Sequence, residues 1–326
     1  MINYEQLKDK NRDDLFYFVG TDIESSEKIV APRYSYWKSV FRVFFRKKLN
    51  IFLLIALAFI LIVALVMPTF WVYDPYEQIK VKDTTAGNLS PAAAMEHFGG
   101  KFDIKWLLGT GTYGNSILYG VVAGSKTSLV LAIICAAINM TIGIILGAIW
   151  GYSKKFDAVM LVIYNIVANV PYILLITVLV YVIGSGFWPF IFALTVTGWL
   201  GIAFFFRTQV MIIRDREYSL ASRCLGTPIP RVILRNILPF LTSVIVTILA
   251  TELPSYIGME VFLSYIGVGL SAEVPSLGRM ISEAQTAFQT FPWAFWSPVA
   301  VASAITIILY LLGQNLGDAS DPRTHM

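Results

Sequence analysis

Three features of the chain predict an all-α polytopic membrane protein with six transmembrane helices. The first is composition. Of 326 residues, 56% are hydrophobic and only 14% charged, where a soluble domain carries about 25% charged residues. The second is arrangement: the apolar residues gather in long uncharged runs, and roughly 20 such residues suffice for a helix to span a bilayer. The third is the placement of charge. Of the 25 Lys and Arg residues, Lys80, Lys82, Lys101, Lys105, Lys126 and Arg279 fall on one side of the alternating topology. The others fall on the opposite side, with Arg207 at the membrane edge. The positive-inside rule then predicts cytoplasmic N- and C-termini. A net charge of +4 is small, so nucleic acid is not an expected partner; the lipid bilayer is. Cys135, Cys224, His97 and His325 stand in no ligand-like spacing, so no metal site, disulfide framework or histidine base is expected.

Residues 1–48 read as a cytoplasmic amino-terminal segment. They do not read as a secretory signal, because the first apolar run begins near residue 49. Within them Trp37, Val40, Phe41 and Phe44 fall at i, i+3, i+4 and i+7, and Lys38, Arg42 and Arg46 form a second stripe. That pattern predicts an amphipathic helix suited to the headgroup layer. Residues 49–73 form the first transmembrane helix, its uncharged part running from Ile51 to Tyr73 and closed by Pro68, Trp71 and Tyr73. Residues 74–114 form an extracellular loop, 115–317 a membrane core and 318–326 a cytoplasmic tail.

In the core, Thr127 to Gly151 is the second span. Gly143, Gly147 and Gly151 recur every four residues, which bares one helix face for close packing. Gly120 to Thr127 (GVVAGSKT) nearly spells a phosphate-binding loop. Ser125 stands where the second glycine must be, and no buried strand precedes it, so no ATP site is expected. Ser153 to Asp157 is a short turn. Ala158 to Phe206 is uncharged and too long for one helix, so Gly184 to Pro189 must turn it into a hairpin, with Pro171 kinking the first arm. Next comes a charged island, Arg214 to Pro239, holding Arg214, Arg216, Arg223, Arg231 and Arg235. A charge near the bilayer centre costs roughly 3 kcal/mol or more, so the island must lie outside the hydrocarbon. Glu217 to Leu225 reads as a short helix stopped by Gly226, Pro228 and Pro230, with a second helical run from about Arg231 entering the membrane at Ile237. Glu252 and Glu260 follow, with Pro254 and Gly258 between them. They suggest a helix that breaks near the outer face, then a re-entrant or external gate-like segment. Ala284 to Gly317 is the last uncharged run.

Several of these segments carry a resemblance. Ala221, Gly226 and Leu238-Pro239 sit at the spacing of the EAA loop of ABC-transporter permeases. With Glu217-Tyr218, Leu225 and Ile237 they look most like the second ("C") permease of the oligopeptide/dipeptide branch. Ser222 and Cys224 stand where alanines are usual, and Thr227-Pro228 where a small-Ser pair is usual. Leu108-Gly109-Thr110, Gly114, Gly124 and Ser128-Leu129 are similar to another segment of that branch. There Gly111 replaces an Asp, and Asn115-Ser116 an Arg-Asp pair. Ala168 to Leu175, Glu260 to Leu270, Pro275 to Ile281 and Asp318 to Arg323 resemble further segments in the same order. Such agreement in context is what a motif needs.

The resemblance implies the type I ABC importer permease fold, in the cell membrane, as one subunit of an importer of peptides. It also implies a second homologous permease, two ABC ATPase subunits and an extracellular substrate-binding protein. This chain would then carry no catalysis and no cofactor, ATP being bound by the partners. By the same resemblance Glu217, Tyr218, Leu220, Ala221, Arg223, Leu225 and Gly226 form the ATPase-coupling helix, and Leu238 and Pro239, with the rigid run before them, transmit its movement. Asn139, Asn169, Glu260 and Ser264 are candidate pathway or gate residues. Asn139 reads more readily as a bond to a neighbouring helix, and Glu252 and Glu260 equally as capping or pairing groups at the outer interface. An ion-coupled secondary transporter using Glu252, Glu260 or Asn139 is the alternative, against which stands the lack of an inverted repeat or a mid-span cluster of charges. A membrane enzyme lacks any His, Cys or Ser constellation in the sequence.

Overall fold

A computed structural model describes residues 35–83, 85–271 and 273–321. The expectations for 1–34 and for the tail from 322 lie outside the described residues. Helix α1 is Tyr36–Arg46 and α2 is Lys48–Phe70. Two short helices follow in the polar loop, α3 (Glu77–Lys80) and α4 (Pro91–His97). Then come α5 (Ile117–Tyr152), α6 (Lys154–Ala168), α7 (Tyr172–Ile183), α8 (Phe187–Thr195) and α9 (Trp199–Arg214). The charged island holds α10 (Glu217–Cys224) and α11 (Ile229–Val232). The chain closes with α12 (Thr242–Tyr265), α13 (Leu277–Ala284) and α14 (Pro292–Ser320). Among the described residues the extended pairing is a single bridge, Thr110 to Ser116.

Among the described residues five stretches are long and apolar enough to cross a membrane, and the bent pair α6 and α7 makes a sixth. The pair is not a kinked helix, as the sequence suggested, but two helices at 78°. Pro171 has no N–H to give the ladder and steers the residue before it away from helical backbone. Other boundaries also moved. α5 starts ten residues before Thr127, because Ser116 caps it by accepting from the Tyr119 N–H at 3.3 Å. The loop-like GVVAGSKT sequence is therefore the interior of a helix. Between α5 and α6 only Ser153 is non-helical, capping the Phe156 N–H at 3.4 Å. α12 does not break near Glu252 or Glu260. It runs unbroken past the buried Pro254 to Tyr265 and stops at Gly267, whose φ is +86°, a left-handed value that glycine adopts at little cost.

The core is built on α5. Its glycine face lies directly on α9: a Cβ at Gly143 would stand 2.6 Å from Ile202 Cγ2, at Gly147 2.6 Å from the Ala203 carbonyl oxygen, and at Gly151 2.5 Å from the Arg207 carbonyl oxygen. The close packing expected from the four-residue repeat is present. A second small-residue contact joins α12 and α14. Gly313 and Gly317 of α14 lie against Ala250 and Thr247 of α12, with no room for a side chain. Gly258 of α12 is different, with open space where a Cβ would be. Gly258→Ala is therefore expected to raise stability by about 0.5–1 kcal/mol through backbone entropy. Thermal unfolding of the purified protein checks this, and a lower midpoint would contradict it.

Candidate functional site

Two places concentrate the residues picked out in sequence: the helix α10 and a buried carboxylate on α12. α10 begins after Arg216, whose backbone is extended (φ −72°, ψ 149°), and the Ser219 and Leu220 amides donate back to the Arg216 carbonyl. It ends with the Leu225 and Gly226 amides bonded to Ala221 and Arg223, and the Thr227 amide to Ser222. Gly226 sits at φ +75°, a conformation that costs other residues roughly 1–2 kcal/mol. Glu217, Tyr218, Leu220, Ala221, Arg223, Leu225 and Gly226 are all exposed. Leu225 is 86% exposed. The helix is nonetheless held to the rest of the protein. Ser219 is buried, Asn236 Nδ2 donates to Ser222 Oγ at 2.7 Å, Tyr218 stacks on Phe240 at 5.2 Å and the Arg223 guanidinium lies 5.8 Å over the Tyr152 ring. Just before α10, Asp215 takes two hydrogen bonds from Arg214, which hold its carboxyl below the usual carboxylate range.

The stretch after α10 differs from the rigid helical run expected. α11 begins at Ile229, two residues early, and is only four residues long. Ile233–Ile237 is a π-turn and Leu238–Leu241 a 3₁₀ turn. The reason is Pro239. Its ring cannot coexist with an α-ladder carbonyl four residues back, at Arg235, and it offers no N–H. The ladder first loosens and then tightens around it. Leu238 is half-buried and Pro239 exposed.

Glu260 is 0% exposed. Its carboxylate accepts from Ser128 Oγ on α5 at 2.9 Å, from Ser264 Oγ one turn along α12 at 3.1 Å and from Ser276 Oγ at 2.7 Å. The Gly278 N–H, in the first turn of α13, is a fourth donor. Ser276 caps α13 through the Arg279 N–H, and the Leu277 N–H donates to Ser128 Oγ at 3.3 Å. A Cβ at Gly278 would stand 2.7 Å from Glu260 Oε1, and one at Gly124 2.8 Å from the Ser276 carbonyl carbon. The carboxyl group of Glu260 thus sits at the N-terminus of α13 and joins α5, α12 and α13.

Asn139 lies in a separate buried network. Its Nδ2 donates to Tyr256 OH at 2.5 Å and to the Leu194 carbonyl at 3.4 Å. Tyr256 also bonds Glu252, and Tyr172 OH donates to Leu194 O at 2.8 Å. Glu252, Tyr256, Glu260 and Ser264 stand at i+4 intervals, so one face of α12 carries the whole polar ladder. Asn169 is apart from both groups. It is exposed at the α6–α7 break and donates to Asn165 O at 2.5 Å. Ser128, Ser276 and Gly278 entered the sequence reading only within segments that carry the resemblance, and Tyr256 did not enter it; none was a candidate site residue. Their signal was the i+4 spacing on α12 and the small residues of the 124–129 and 275–281 segments.

This architecture has known relatives. Residues 140–326 match the family described as the inner membrane component of binding-protein-dependent transport systems, and residues 35–91 match the N-terminal transmembrane domain of oligopeptide transport permease C. Over 310 residues the chain is 44% identical to the oligopeptide transport system permease protein AmiD of Streptococcus pneumoniae, covering 95% of this chain and 97% of that one. The chain is an ABC-transporter permease of the oligopeptide/dipeptide importer family. Other relatives of this permease are the dipeptide permease DppC of Lactococcus lactis (30% identical, covering 97% of this chain and 99% of that one) and the oligopeptide permease OppC of Bacillus subtilis (29%, covering 95% and 97%). The type I importer permease fold and a multi-pass membrane location follow from the family and the apolar helices together. The ion-coupled alternative has no counterpart among these relatives.

Proposed function

We propose that this permease forms half of the translocation pathway of an ATP-driven peptide importer, with α10 as the element that couples it to a cytoplasmic ATPase. The observation that carries the reading is the free face of α10. A short helix outside the bilayer-length helices presents Tyr218, Leu220 and Leu225 outward. A soluble surface seldom leaves such a cluster bare unless a partner covers it. Glu217, Arg223 and the left-handed Gly226 frame that face. The distribution of Lys and Arg supports a cytoplasmic side for α10 and for both termini. The full importer is then this permease, a second homologous permease, two ABC ATPases and an extracellular binding protein, with ATP bound by the ATPases and no cofactor here. The names of the relatives point to oligopeptides or dipeptides as cargo.

The test is uptake of labelled peptide by vesicles reconstituted with the whole complex. Uptake is expected to require ATP on the side of α10 and to persist when proton and sodium gradients are collapsed. Uptake by this permease alone, driven by an ion gradient, would overturn the reading.

A further inference from the structure

We propose that Asp157 is a positioning residue for coupling. Through Arg207 it pins α9, and with it α10, to the corner between α5 and α6. A push on α10 then enters the membrane through α5, α6 and α9 moving as one body, while Ile233–Leu241 bends. The inference rests on the reading of α10 as the coupling helix.

Asp157 lies in the first turn of α6. It accepts a hydrogen bond from Trp150 Nε1 of α5 at 2.7 Å and two from the Arg207 guanidinium of α9, that from Nη2 at 2.9 Å and the other from Nε. The two-point geometry fixes the guanidinium in direction as well as distance. The same guanidinium lies 5.7 Å over the Trp150 ring and 5.6 Å over Phe204, and Phe204 stacks on Tyr164 of α6 at 4.3 Å. One carboxylate therefore ties three helices. Further along α9, Arg214 donates to the Gly151 carbonyl at 3.0 Å. Gly147 and Gly151 rest on the α9 backbone at Ala203 and Arg207. Close-packed backbones joined at two charged points do not slide; they transmit a displacement.

The other end of α10 is unlike this. Its side-chain links to the following stretch are one hydrogen bond from Asn236 and one ring contact with Phe240, and that stretch meets α5 and α9 through apolar side chains alone, Val232, Ile233, Ile237 and Leu241. That stretch is π then 3₁₀, a form of helix that often marks a hinge.

The experiment uses the complete reconstituted complex and measures peptide taken up per ATP hydrolysed, together with recovery of the ATPase subunits and the melting midpoint. Asp157→Asn is expected to retain assembly and to lower the ratio about tenfold, within the range by which residues along a coupling path act. The exchanged pair Asp157→Arg with Arg207→Asp is expected to recover much of it. Pro239→Ala restores an N–H and lets an α-ladder close across the hinge, and is expected to lower the ratio with assembly and melting intact. An unchanged ratio in Asp157→Asn overturns the pin, and an unchanged ratio in Pro239→Ala overturns the hinge. Should Asp157→Asn fail to assemble, Trp150→Phe, which removes one of the three hydrogen bonds and keeps a ring, takes its place with the same two outcomes. Loss of ATPase binding on altering Leu225, with no effect of Asp157→Asn on the ratio, would leave the role of α10 standing and remove this inference alone.

Discussion

Glu260→Ala is expected to destabilise the permease by about 3–5 kcal/mol, since leaving a buried donor without its partner costs about 1–3 kcal/mol. Four donors converge on this carboxylate, from Ser128, Ser264, Ser276 and Gly278. The hydroxyls can turn toward helix carbonyls and recover part of the loss. The Gly278 N–H cannot turn. Against a total stability of about 5–15 kcal/mol the expected loss is large. α13 should detach first, because its N-terminus is held by Glu260 and Ser276. Glu260→Gln keeps the shape and one acceptor oxygen but aims an NH₂ group at a donor, so about 1–3 kcal/mol is expected. The check is the melting midpoint of the purified complex, together with proteolysis between Val268 and Leu277. A Glu260→Ala protein that melts and resists cleavage as the parent does would show that the carboxylate does not hold this joint.

Gly147→Val is expected to be as damaging by a different route. A Cβ there would meet the Ala203 carbonyl oxygen at 2.6 Å and Phe206 Cβ at 2.7 Å. Neither is the end of a flexible chain, so the helices must separate. Overpacking ordinarily costs about 1–3 kcal/mol, and separation here also strains the Asp157–Arg207 and Arg214–Gly151 links. Gly201→Ala is the control on the same helix pair, because nothing lies within 4 Å of the added atom. Expression level and melting midpoint of the two variants should diverge. Equal values would mean that the α5–α9 contact is looser than described.

The helical spans, the glycine face of α5 and the exposed helix at Glu217 were legible because each depends on local pattern. Long uncharged runs have one low-energy form in a bilayer, and glycines at four-residue spacing have few uses other than packing. The break at Pro171 was legible as a perturbation but not as a 78° turn, since the angle is set by what α6 and α7 pack against. Pro254 and Pro239 show the same limit from two sides. One is absorbed in an unbroken helix and the other deforms nine residues, and their local sequences do not separate these outcomes. The four-donor site at Glu260 draws on residues 16 and 132 positions away. Its small partners gave no chemical signal of their own, and they stood out only within the segments that carry the family resemblance.

The central claim is that α10 docks on an ATPase, and Cys224 tests it most directly. That thiol is exposed at the end of α10, whereas Cys135 is buried. In the assembled complex with Cys135→Ala, a short thiol-anchored photo-crosslinker on Cys224 is expected to yield an adduct of this permease with the ATPase subunit, and Leu225→Asp is expected to abolish it. Free labelling of Cys224 in the intact complex, with no ATPase adduct and uptake unaffected by Leu225→Asp, would contradict the assignment.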